Sequence, residues 1–214
     1  MVEIINAGIN GNNTADLLIR LEKDVLQQSP ELVVMMVGTN DMLNEKNMLT
    51  LKVYEKNYLE LINRIREKTD LMLMTIPPVY SPYIIARKPA LNFKEGEPGR
   101  RVNAANKIIR RLAANSRCLL IDLHKVLAAC GGSDTNKDCL FQNEANSNLE
   151  DGVHPTYDGY RVIAAVIYEA IKISFSDVKK IICFGDSLTY GYAVEGGGTI
   201  AGKSYPALLN KMLN

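Results

Sequence analysis

The sequence predicts an α/β domain built on a parallel sheet with helices on both faces. Two observations carry this. Apolar runs at residues 2–6, 32–37, 71–76, 118–122 and 181–184 show almost no polar alternation, as strands buried on both faces do. Between them lie amphipathic stretches of helical period, the alternation expected of a parallel sheet.

The first run, Val2-Glu3-Ile4-Ile5-Asn6, leads into the loop Ala7-Gly8-Ile9-Asn10-Gly11-Asn12-Asn13. Thr14 is the predicted cap of a helix to about residue 28, with Leu17, Leu18, Leu21 and Val25 on one face and Pro30 as its stop. The second strand, residues 32–37, ends in Gly38-Thr39-Asn40-Asp41. A helix over 51–68 carries Tyr54, Tyr58, Leu61, Ile62 and Ile65. The third strand, 71–76, is broken by Pro77-Pro78, and residues 77–99 read as a long loop. A helix over 101–115 and the fourth strand, 118–122, follow. The polar stretch 131–150 reads as loop. It leads through Asp151-Gly152-Val153-His154-Pro155 to a helix over 157–171. Residues 172–180 form a short linker into the last strand. Ser204 and Pro206 open a final helix over 207–213.

At 214 residues the chain is long enough for one domain with a full core, and residues 1–214 are read as a single unit. A net charge of +1 gives no reason to expect a nucleic-acid partner. No apolar run is long enough for a transmembrane segment. Met1 runs directly into a strand and no signal peptide is visible, so a cytoplasmic location is slightly favoured. Cys118 and Cys183 lie at apolar strands and are expected to be buried thiols. Cys130 and Cys139 flank a polar loop, where a disulfide and two reduced thiols are about equally compatible with the sequence. The cysteine spacings match no zinc motif.

The chemistry concentrates in four loops. Ile181-Ile182-Cys183-Phe184 runs straight into Gly185-Asp186-Ser187-Leu188, so Ser187 falls just past the carboxyl end of a buried strand, where open α/β sheets place ligands. A serine there serves as a nucleophile if a base and oxyanion donors converge on it. By itself the stretch also reads as a helix cap, since Asp and Ser both cap well. The other loops are Asn6-Ala7-Gly8-Ile9-Asn10-Gly11, Gly38-Thr39-Asn40-Asp41 and Asp151-Gly152-Val153-His154-Pro155. Glycine lets backbone approach a substrate closely, and an asparagine amide donates hydrogen bonds without charge. Histidine takes and returns a proton near neutral pH, and an Asp three residues before it can reach its other ring nitrogen. His124 has no such acid beside it and is read as non-catalytic.

Together these four blocks resemble the signature blocks of the SGNH (GDSL) hydrolase family, and the resemblance spans essentially the whole chain. It implies a flavodoxin-like three-layer α/β/α sandwich with a five-stranded parallel sheet, hydrolysing esters or thioesters. It assigns Ser187 as nucleophile, His154 as base and Asp151 as its orienting carboxylate. The oxyanion hole falls to the backbone N–H groups of Ser187 and Gly11 and the side chain of Asn40. It implies no metal and no organic cofactor. The partner is a small-molecule or glycan ester, with short acyl and acetyl esters favoured because no long apolar lid segment occurs.

The block order departs from the family, whose serine block comes first. Here it comes last, so the chain resembles a circular permutant, natural or engineered, or else a piece spanning two tandem domains. The serine strand is expected between the strands at 2–6 and 32–37. A competing motif is Gly197-Gly198-Thr199-Ile200-Ala201-Gly202-Lys203-Ser204, which fits the P-loop pattern of a nucleotide-binding NTPase. Leu119-Leu120-Ile121-Asp122 resembles the partnering Walker B strand. Its context is poor, because a P-loop follows its strand directly. A non-catalytic binding relic is the third reading.

Overall fold

The computed structural model describes residues 1–88 and 97–214. Its strands are β1 (Glu3–Gly8), β2 (Leu32–Met36), β3 (Asp70–Met74), β4 (Leu119–Ile121) and β5 (Lys180–Gly185). Its helices are α1 (Thr14–Asp24), α2 (Thr39–Leu43), α3 (Leu51–Arg66), α4 (Ser81–Arg87), α5 (Pro98–Ser116), α6 (Leu123–Ala129), α7 (Glu144–Ser147), α8 (Tyr157–Ser174), α9 (Ser187–Tyr190) and α10 (Tyr205–Leu213).

The five strands form one parallel sheet in the order β1-β5-β2-β3-β4. The last strand in the sequence therefore lies between the first and second, where the serine strand was expected. Its composition requires that place. Ile181, Ile182, Cys183 and Phe184 are all fully buried, and each large apolar side chain so covered contributes about 1.5–3 kcal/mol. Ile182 and Phe184 pack with α1, α3 and α5 on one face. Ile181 and Cys183 pack with α6, α8 and α10 on the other. The three layers follow from this alternation within a run that has no polar position.

Several boundaries differ from expectation. Asn13, not Thr14, caps α1: its side chain accepts from Ala15 N and Asp16 N, and Asp16 returns a bond to the Asn13 N–H. The expected loop 77–99 contains α4, and its residues 89–96 lie outside the described residues. Helix α6 follows β4 immediately, capped by Asp122, and α7 sits inside the expected loop 131–150. Each of these three helices has seven residues or fewer and buries at most two side chains, too few to impress a period on the sequence. Cys118, Cys130, Cys139 and Cys183 are free thiols, so Cys130 and Cys139 are unpaired; Cys183 is buried, while Cys118 is only half-buried.

Candidate active site

Ser187 owes its position to a tight turn. At Gly185 a Cβ would lie 2.3 Å from the Met36 carbonyl oxygen, so only glycine lets the chain leave the sheet there. The Asp186 carboxylate then caps α9, accepting from Leu188 N at 2.9 Å. Ser187 thus faces the groove beyond the carboxyl ends of the central strands.

His154 comes from the loop before α8. Phe141 bridges Pro155, and Gln142 N donates to the His154 carbonyl at 2.8 Å, so the 131–150 stretch holds this loop from behind. Asp151 Oδ1 accepts from Val153 N at 2.8 Å and from His154 N at 2.6 Å. Its Oδ2 lies 2.9 Å from His154 Nδ1, and His154 Nε2 lies 3.0 Å from Ser187 Oγ. A proton on Nδ1 donating to the carboxylate leaves Nε2 free to accept from the serine hydroxyl. Burial alone would raise the Asp151 carboxyl, yet the His154 ring and the two backbone donors hold it below its ordinary value. It stays ionised beside the imidazole. Tyr192 covers the ring, its centroid 4.6 Å away.

Asn40 stands in the first turn of α2. Its Nδ2 donates to the Asn12 carbonyl at 2.9 Å and its Oδ1 accepts from Asn44 Nδ2 at 3.1 Å. Those bonds fix the amide orientation and leave it a second N–H. Gly11 has φ +79°, a left-handed conformation that favours glycine, and its carbonyl accepts from Asn47 Nδ2 at 2.7 Å. Ser187, His154, Asp151 and Asn40 line one cavity of about 330 Å³. Gly11 is not on that lining; its loop joins the cavity wall through Asn12. Of the two long stretches read as loops, 77–99 supplies Ile84, Arg87 and Lys88 to the lining, whereas 131–150 supplies none of it. His124 lies elsewhere: its Nδ1 contacts the Ile76 carbonyl at 2.9 Å and its backbone N–H donates to Thr75 Oγ1.

The glycine-lysine segment does not follow its strand. Helix α9 separates it from β5, Lys203 pairs with Glu195 at 3.0 Å, and Asp122 is held by Arg110 at 2.9 Å. The strand, loop and helix of a P-loop are therefore not contiguous. Among the described residues no group of three or more His, Cys, Asp or Glu is arranged to hold a metal ion, and no helix is long and apolar enough to cross a membrane.

Three supporting residues lie outside the predicted catalytic set, and of these only Arg20 falls outside the four loop blocks. Arg20 donates to the Ala7 and Gly185 carbonyls at 2.9 and 2.7 Å and to Asn12 Oδ1 at 2.7 Å, with its guanidinium over the Phe184 ring. It clips the ends of β1 and β5 to the loop that bonds Asn40. Asp41 is fully buried, accepts from Thr14 N and Thr14 Oγ1, and is pushed up by burial to about 6. Asp186 is also fully buried, its Oδ2 has no hydrogen-bond partner among the described residues, and burial pushes its carboxyl up to about 7.

Asp186 gives a stability prediction. A carboxyl whose folded pKa lies above its unfolded value of 3.8 holds its proton longer in the fold. The stability from that proton is present below pH 3.8 and is lost as pH rises through about 7. Asn keeps the capping oxygen and carries no charge. The Tm advantage of Asp186→Asn over the parent should therefore grow between pH 4 and pH 8. A constant offset across that range in thermal melts would contradict the buried-carboxyl account.

Serine, histidine and carboxylate stand in a hydrogen-bonded line at the carboxyl end of a parallel sheet, an arrangement suited to acyl transfer. The chain belongs to the GDSL-like lipase/acylhydrolase family, whose model matches residues 1–162. It is similar to the uncharacterized lipoprotein YqeF of Bacillus subtilis (strain 168), 29% identical over 184 residues, covering 80% of this chain and 72% of that protein. It is also similar to an acetylxylan esterase of Geobacillus stearothermophilus, 23% identical over 171 residues, covering 79% and 72%. Among solved structures it resembles the acetyl xylan esterase AlAXEase, with a TM-score of 0.61, 27% identity, and coverage of 77% of this chain and 79% of that one.

Proposed function

We propose that the protein is a serine esterase that cleaves short acyl esters, acetyl esters foremost, through an acyl-enzyme. The observation that carries this is the line Asp151–His154–Ser187, with contacts of 2.9 and 3.0 Å. His154 Nε2 takes the Ser187 proton as Oγ attacks the ester carbonyl. The Ser187 and Gly11 N–H groups and the Asn40 amide receive the oxyanion. His154 then protonates the departing alcohol. Water, deprotonated by the same nitrogen, attacks the acyl-enzyme, the acid leaves, and the proton returns to Ser187. No step needs a metal or organic cofactor. The acetyl preference is supported by the acetylxylan esterase relative and by a cavity of only about 330 Å³.

The chain order fits a circular permutation within one domain. The family model's match ends at residue 162, before β5, yet β5 lies between two strands inside the match. The substrate is read as a small-molecule or glycan ester. Release of p-nitrophenolate from p-nitrophenyl acetate, with no ATP turnover, is the expected result. ATP turnover sensitive to Lys203→Ala, without ester hydrolysis, would overturn the proposal.

A further inference from the structure

The cavity wall that begins at the end of α4 carries charge that the hydrolytic steps do not use. Arg87 ends α4 and Lys88 follows it, and both line the cavity with Ser187. Arg87 Nη1 donates to the Glu150 carbonyl and Lys88 Nζ donates to the Leu43 carbonyl at 3.0 Å. Both acceptors are neutral, and each cation keeps further N–H donors. Among the described residues neither cation forms a salt bridge. Among the described residues the one carboxylate on the lining, Asp151, is held by His154 and two backbone donors. Burial and the adjacent Arg87 charge lower the Lys88 ammonium, with Glu45 acting in the opposite direction. Two cations thus line the cavity with no carboxylate paired to either among the described residues.

We propose that the substrate is an ester whose alcohol part carries a carboxylate, bound by Arg87 and Lys88, as in an O-acetylated acidic sugar. The inference rests on the esterase reading. It assigns the charge to the alcohol because an acetyl group has no place for one. Arg87 supplies a planar fork suited to a carboxylate and Lys88 a point charge, so together they fix the alcohol while its acetyl carbonyl meets Ser187. Glycan acetates without acidic groups gain nothing from this wall.

The test compares 4-acetoxybenzoate with 4-acetoxybenzamide, each kcat/KM divided by that ester's own rate of hydroxide hydrolysis. The expected normalised ratio is at least about tenfold in favour of the carboxylate at low salt, falling as salt screens the pair. Arg87→Gln with Lys88→Gln should bring the ratio close to one, and the swap Arg87→Lys with Lys88→Arg should retain most of it. A parent ratio near one, with both esters hydrolysed, overturns the inference and leaves the esterase reading standing. A ratio unchanged in the double Gln variant also overturns it. Hydrolysis of neither ester overturns both.

Discussion

Ser187→Ala lowers kcat/KM for p-nitrophenyl acetate by at least about 10⁴-fold, because every proposed covalent step passes through its Oγ. The fold should tolerate the change. Ser187 Oγ hydrogen-bonds to the His154 ring, and Asp186, not Ser187, supplies the cap of α9. Thermal melts should therefore stay close to those of the parent. The proposed oxyanion donors, two backbone N–H groups and Asn40, survive the substitution and leave a residual rate above that in water. If Ser187→Ala kept most of its activity, the nucleophile would have to be another group.

His154→Ala should lose activity to a similar degree. Its Nε2 is the base within reach of the serine hydroxyl, and no second histidine lines the cavity. Serine and histidine act as one unit, so the double variant Ser187→Ala, His154→Ala should be no slower than either single one. His124→Ala should keep most activity, since its ring meets a backbone carbonyl away from the cavity. Steady-state kinetics of the four variants decide this. Multiplicative losses in the double variant would mean that the two residues act separately.

The place of β5 was legible because its run has no polar position, and only an interior strand covers both faces of such a run. His154 and Asp151 were legible because their spacing lets one short loop close a carboxylate onto its own histidine. The short helices α4, α6 and α7 were not legible, since a helix that buries two residues or fewer leaves no period. Asn13 and Thr14 are both good caps by residue type. The choice fell to Asn13 because Thr14 is drawn into Asp41, which accepts from its N–H and hydroxyl. Arg20 had no signal either. Its role comes from two carbonyls that the sheet brings together from opposite ends of the chain, Ala7 and Gly185. The cationic wall at Arg87 and Lys88 was hidden in a stretch that reads only as a loop rich in proline, tyrosine and basic residues.

In the proposed reaction Ser187, near the carboxyl end of the chain, takes the acyl group of the ester as His154, some thirty residues before it, takes the hydroxyl proton and the alcohol leaves. The most direct measurement is peptide mass mapping after treatment with a small alkyl fluorophosphonate, which traps an activated serine as a stable phosphonyl ester. The account predicts a single stoichiometric adduct on the peptide containing Ser187, absent in Ser187→Ala and slowed strongly in His154→Ala. An active protein that carries no adduct at Ser187, or carries it on another residue, would contradict it.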